Sequence, residues 1–155
     1  MPRVLIVANR LPVSVKAAAP GVEVQKSPGG LATGLLRPHE QSGGLWIGWS
    51  GAPDDELSAE QRAALDEQLA AMRLVSVPLT AAQVARYYEG FSNGVLWPLF
   101  HYLLDQVPLH VRDWEPYVEV NERFAQIVAQ HYQPGDLIWV HDYQLLLLPG
   151  LLRQR

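Results

Sequence analysis

Apolar residues come in short continuous runs and longer spaced stripes. Val4 to Ala8 is unbroken and rich in β-branched residues, as expected of a strand buried on both faces. Asn9-Arg10-Leu11-Pro12 should end it, because Pro12 has no N–H for a ladder bond. Ala17 to Gly21 reads as a mobile loop, Ser27-Pro28-Gly29-Gly30 as a turn, and Leu31 to Leu36 as a helix directly after it. Leu45 to Trp49 is a second strand, closed by Ser50-Gly51-Ala52-Pro53. Ser58 with Gln61 and Thr80 with Gln83 both fit the capping box that opens a helix. The first of these helices carries Leu65, Leu69 and Met72 on one stripe, and the second carries Val84, Tyr87, Tyr88 and Phe91. Leu74 to Pro78 forms a strand between them. Glu115 to Tyr132 is a helix, Pro134-Gly135-Asp136 a turn, Leu137 to Val140 a buried strand, and Leu145 to Arg155 a last helix. The stretch from Phe91 to Trp114 stays ambiguous. Strands alternating with helices predict an α/β fold with a mostly parallel sheet.

A length of 155 residues suits one domain, and a chain stopping after a crossover helix reads as a fragment. The net charge of −4, with no block of Lys or Arg, argues against nucleic acid or an anionic membrane as partner. No cysteine is present, so disulfides and thiolate metal sites are excluded. The opening apolar run is too short for a signal peptide or membrane span, which points to the cytoplasm.

In an open parallel sheet, ligands gather beyond the carboxyl ends of the strands. Arg10, Trp49-Ser50 and His141-Asp142 fall at such ends. An arginine fork, a carboxylate and aromatic rings together suit a sugar phosphate, although a strand-end Asp equally serves to cap a helix. Gly29-Gly30 before a helix lets backbone N–H groups approach a phosphate, but a plain turn has the same pattern, and the spacing G-x-G-x-x-G is absent. Tyr88 shares the core stripe of Val84 and Phe91. Nine residues on, at about 100° each, Trp97 would face the opposite way on an unbroken α-helix. The two line one pocket only if the helix breaks, and Ser92-Asn93-Gly94 is the expected break. His39, His101, His110, His131 and His141 show no paired ligand spacing, so no metal site is expected. Nor is there a Ser-His-Asp order or a Gly-x-Ser-x-Gly elbow. His141 reads as a packed strand-end histidine rather than a catalytic base.

Five segments carry a resemblance. Asn9-Arg10-Leu11-Pro12, Ser27 to Ala32, Gly44 to Gly51, the long block Tyr87 to Tyr102, and Trp139 to Leu145 occur in this order in trehalose-6-phosphate synthases, glycosyltransferase family 20. The chain resembles that family over essentially its whole length. The resemblance implies two Rossmann-like domains facing a cleft, the GT-B arrangement. Residues 1–155 would supply an incomplete N-terminal, acceptor-side domain, and the C-terminal donor-binding domain would be absent. It implies transfer of glucose from UDP-glucose to glucose-6-phosphate with retention, by a front-face route without enzyme nucleophile or metal. By position, Arg10 and Tyr88 should hold the acceptor phosphate, and Trp49, Trp97 and Asp142 the acceptor glucose, with Asp142 positioning rather than acting as a base. Gly29 and Gly30 should lie against the donor diphosphate. UDP-glucose is then a co-substrate, no cofactor is needed, and the full-length protein admits a homo-oligomer. Other family residues that neutralise the leaving diphosphate would lie beyond Arg155, so this chain alone should not turn over. Two alternatives stay open: a relative such as glucosylglycerol-phosphate synthase with a three-carbon acceptor, and a non-catalytic regulatory module of the same fold.

Overall fold

The computed structural model describes residues 2–18, 21–27, 29–110 and 112–155. Pro28, within the expected turn, and Ala19 and Pro20, within the expected loop, lie outside the described residues. Four parallel strands form the main sheet in the order β5-β4-β1-β6: β1 is Val4–Arg10, β4 Leu45–Trp49, β5 Leu74–Ser76 and β6 Leu137–Val140. β1 lies in the middle and its alternate side chains feed two cores. Leu5 and Val7 pack with Ile47, Tyr87, Tyr117, Phe124 and Leu145 on one face. Ile6 and Ala8 pack with Trp46, Leu65, Leu69 and Leu74 on the other.

The expected loop at Ala17 to Gly21 is instead part of a hairpin. β2 (Val13–Ala18) pairs antiparallel with β3 (Gly21–Lys26). The cause is visible in the alternation Val13-Ser14-Val15-Lys16 and Val22-Glu23-Val24, a period of two that buries Val13 and Val22. Helix α1 (Gly30–Ser42) runs past the expected end at Leu36 and through Pro38, and stops only at Gly43 with φ 65°. β1 likewise continues to Arg10. There the register with β4 shifts between Val7 and Arg10, and the Leu11 N–H donates to the Trp49 carbonyl at 2.8 Å. Gly48 permits this close approach, since a Cβ there would stand 2.7 Å from the Ala8 carbonyl oxygen.

Both capping boxes are present, Ser58 with Gln61 opening α2 (Ala59–Ala71) and Thr80 with Gln83 opening α3 (Ala81–Gln83). α3 leads without interruption into a π-helix (Val84–Leu96) and then into α4 (Trp97–Phe100). α5 (Trp114–His131) covers the expected long helix. The last expected helix divides into a 3₁₀ turn, Tyr143–Leu145, and α6 (Leu148–Arg153). β6 is not buried on both sides. It pairs only with β1 among the described residues, and Leu137 and Trp139 are 54% and 43% exposed. Its apolar composition alone does not distinguish this edge position from a central one. No described helix is long and apolar enough to cross a membrane.

Candidate functional site at the strand ends

Arg10, the last residue of β1, is exposed. Its guanidinium lies 5.0 Å from the centre of the Trp49 ring, a cation–π distance. Gly51, at φ 94°, leaves room for it: a Cβ there would stand 2.2 Å from an Arg10 nitrogen. Among the described residues Arg10 has no carboxylate partner; the ion pairs are made by Arg3, Arg62, Arg86 and Arg123. Its charge is therefore uncompensated by any described carboxylate. Trp49 itself is only 6% exposed, and its indole N–H donates to the Ala52 carbonyl at 3.0 Å. It forms a floor beneath Arg10 rather than an open ring face.

The expected break between Tyr88 and Trp97 does not occur. The helix widens instead. The Trp97 N–H donates to the Ser92 carbonyl, five residues back, and the Ser92 hydroxyl donates to the Tyr87 carbonyl at 2.8 Å. A turn closed by i→i+5 bonds holds about four and a half residues, so nine residues make about two turns rather than two and a half. Tyr88 and Trp97 thus come to one side without any interruption. Both reach Tyr143. The Trp97 ring, 45% exposed, lies 5.7 Å from the Tyr143 ring. Burial raises the Tyr143 phenol above its ordinary pKa, and nearby Tyr88 and Asp142 add to the rise. The Tyr143 hydroxyl donates to Asn93 Oδ1 at 2.7 Å, tying the segment after β6 to the π-helix.

Asp142 adopts φ 75° and ψ 169°, a region almost reserved for glycine that costs about 1–3 kcal/mol for other residues. One carboxylate oxygen accepts the Tyr143 N–H at 2.8 Å, and the side chain is exposed. His141 precedes it. Its backbone N–H donates to the Val7 carbonyl at 2.8 Å, which brings the end of β6 beside β1. Its ring Nε2 is buried without a hydrogen-bond partner, and burial lowers the ring's pKa, opposed by Asp142.

Arg10, Trp49 and Asp142 thus stand at the carboxyl ends of adjacent strands β4, β1 and β6, with Tyr88 and Trp97 presented by the helix packed over them. Gly29 and Gly30 open α1. Gly29 is extended, its carbonyl accepts the Thr33 N–H at 2.8 Å, and a Cβ at either glycine would meet nothing within 4 Å. No hydrogen bond or ring contact among the described residues links them to the other five. No group of three or more His, Cys, Asp or Glu among the described residues could hold a metal ion. The sequence marks Ser92 and Asn93 only as part of the expected break, and Asn9 and Tyr143 only as members of the resembling segments; their hydrogen bonds across the fold are new.

A model of glycosyltransferase family 20 matches residues 2–155. The trehalose-6-phosphate synthase of Mycolicibacterium gilvum is 46% identical over 150 residues, covering 96% of this chain and 30% of its own length. Among solved structures, an alpha,alpha-trehalose-phosphate synthase (UDP-forming) from Burkholderia xenovorans, in complex with glucose-6-phosphate, superposes with a TM-score of 0.70 at 33% identity, over 98% of this chain and 30% of that one. A structure from E. coli bound with UDP-2-fluoro glucose gives a TM-score of 0.69 at 34% identity, again over 98% and 30%. The chain therefore spans about 30% of the length of these relatives.

Proposed function

Since the chain belongs to glycosyltransferase family 20, we propose that it is the acceptor-side, amino-terminal part of a trehalose-6-phosphate synthase. The whole enzyme would transfer glucose from UDP-glucose to glucose-6-phosphate with retention of configuration. The rest of a GT-B protein, including its donor-binding domain, would lie outside this chain. In this reading the enzyme works in the cytoplasm.

One observation carries the proposal: an arginine with no carboxylate partner among the described residues and a strained, exposed aspartate follow neighbouring strands of a parallel sheet, and a helix packed on that sheet carries two part-exposed aromatic residues. Each has a task that its chemistry suits. Arg10 offers a planar fork to phosphate oxygens, and its cation–π contact with Trp49 helps to hold that fork in place. The Tyr88 hydroxyl supplies a further donor to the same phosphate. Trp97 presents an apolar face to the C–H surface of a hexose, and Trp49 shapes the pocket from below. The Asp142 oxygen not used by Tyr143 accepts from sugar hydroxyls and fixes which hydroxyl faces the donor, a positioning role. Gly29 and Gly30, at the open and uncapped start of a 13-residue helix, suit the donor diphosphate.

The test is calorimetric titration of the chain with glucose-6-phosphate. Arg10→Ala should weaken binding by about 1.5–3 kcal/mol, the range for a charge-assisted hydrogen bond. Equal binding by wild type and Arg10→Ala would refute the assignment. With both substrates present, the chain alone should show no turnover, because groups that stabilise the leaving diphosphate are needed for the reaction.

A further inference from the structure

Arg10 and Tyr88 sit on different elements, and no described hydrogen bond joins them. Their immediate neighbours are joined. Tyr87 is fully buried, and its hydroxyl donates to Asn9 Oδ1 at 3.0 Å, with Asn9 itself 7% exposed. Among the described residues this is the only side-chain hydrogen bond between the π-helix and β1. Its surroundings are apolar: Leu5, Val7, Phe91 and Tyr117 belong to the same core. A buried amide and phenol in such a place cost free energy unless they meet, and two apolar side chains would fill the space without that requirement. What the polar pair adds is direction. Apolar contacts tolerate a helix sliding by an ångström along a strand, whereas a hydrogen bond of this length does not.

We propose that the Asn9–Tyr87 bond is a positioning pair that sets the separation of Arg10 from Tyr88, and so the fit of the site to a phosphate attached to a sugar. The proposal rests on the acceptor reading above. Neither residue touches the substrate. Each is one peptide bond from a group that does, so an error in their register passes directly to the two phosphate ligands.

The test compares affinities for glucose-6-phosphate and for glucose, measured by titration of the 155-residue chain. Tyr87→Phe removes the hydroxyl and keeps the ring; Asn9→Leu removes the acceptor at similar volume. Each should lower glucose-6-phosphate affinity about tenfold, the equivalent of one lost hydrogen bond, and leave glucose affinity within about twofold. The double variant should be no weaker than either single one, because the two residues act through one bond. Unchanged glucose-6-phosphate affinity in both variants overturns the proposal. So does a parallel loss for both ligands, which marks a merely structural role. If Asn9→Leu does not melt cooperatively, Tyr87→Phe alone decides. Arg10→Ala separates the two levels: when it weakens glucose-6-phosphate binding and Tyr87→Phe leaves it unchanged, only the pair's role falls. When wild type does not bind, or Arg10→Ala binds equally well, the acceptor reading falls and the pair's role with it.

Discussion

The Ser92 hydroxyl donates to the Tyr87 carbonyl at 2.8 Å, five residues back along an unbroken helix. Ser92 is fully buried there, so water cannot replace the bond. It supports the wide turn that brings Tyr88 and Trp97 to one side. Ser92→Ala should destabilise the fold by about 1 kcal/mol in urea denaturation, the usual cost of one buried hydrogen bond. Tryptophan emission should shift as well, as Trp97 leaves Tyr143. A variant as stable as wild type, with the same spectrum, would show that the hydroxyl does not hold the turn.

Gly51→Ala tests the seat of Arg10. A methyl group at this position would stand 2.2 Å from an Arg10 nitrogen, and φ 94° is unfavourable for any L side chain. The flexible guanidinium moves more easily than the backbone, so the expected stability loss is modest, about 1–2 kcal/mol. The expected effect on ligand binding is larger, because Arg10 leaves its place over Trp49. Glucose-6-phosphate affinity should fall nearly as far as in Arg10→Ala, and calorimetry on the two variants side by side checks this.

The parts of the fold that depend on neighbours in sequence were legible. Both capping boxes are local hydrogen-bond circuits, and β1 shows itself as an unbroken run of Val, Leu and Ile. The β2–β3 hairpin was encoded too, in the alternation around Val13 and Val22, but the small residues from Ala17 onward made it read as a loop. The π-helix was not legible, because projecting Tyr88 and Trp97 at 100° per residue assumes the α period that Ser92 and its neighbours depart from. The edge position of β6 depends on which strands pair, which the run Leu137 to Val140 does not specify. The candidate site divides in the same way. Arg10 and Asp142 follow from strand ends and the family's motifs. The bonds of Asn9 to Tyr87 and of Tyr143 to Asn93 join residues far apart in the chain and required the tertiary structure.

His39 gives a pH dependence of known sign. It is buried in α1, its Nε2 faces the Arg73 carbonyl at 3.2 Å, and its ring packs edge-on against Trp46. Burial lowers its pKa below the ordinary value. The Arg73 carbonyl and Glu40 act in the opposite direction, and the Arg73 charge adds to the lowering. Folded chains therefore take up this proton at lower pH than unfolded chains do. As pH falls below about 6.5, the unfolded state gains a proton that the folded state does not, and stability declines until the folded pKa is reached. His39→Gln keeps a donor toward Arg73 and removes the titration. Denaturation at about pH 7.5 and about pH 5.5 should show a smaller acid loss in the variant than in wild type. Equal losses would contradict the assignment.

Tyr143 connects the two halves of the candidate site, and its removal should uncouple them. Its hydroxyl reaches Asn93 at 2.7 Å, its ring lies against Trp97, and its N–H is held by the strained Asp142. Tyr143→Phe keeps the ring contact and deletes only the bond to Asn93. The site is half-buried, so water can partly solvate the freed Asn93 oxygen and limit the cost to about 0.5–1.5 kcal/mol. Asn93→Ala deletes the same bond from the other side and also trims the π-helix surface. If one bond joins the pair, the double variant should lose less stability than the two single losses added together, by about the energy of that bond. Additive losses would mean that Tyr143 and Asn93 stabilise the fold independently.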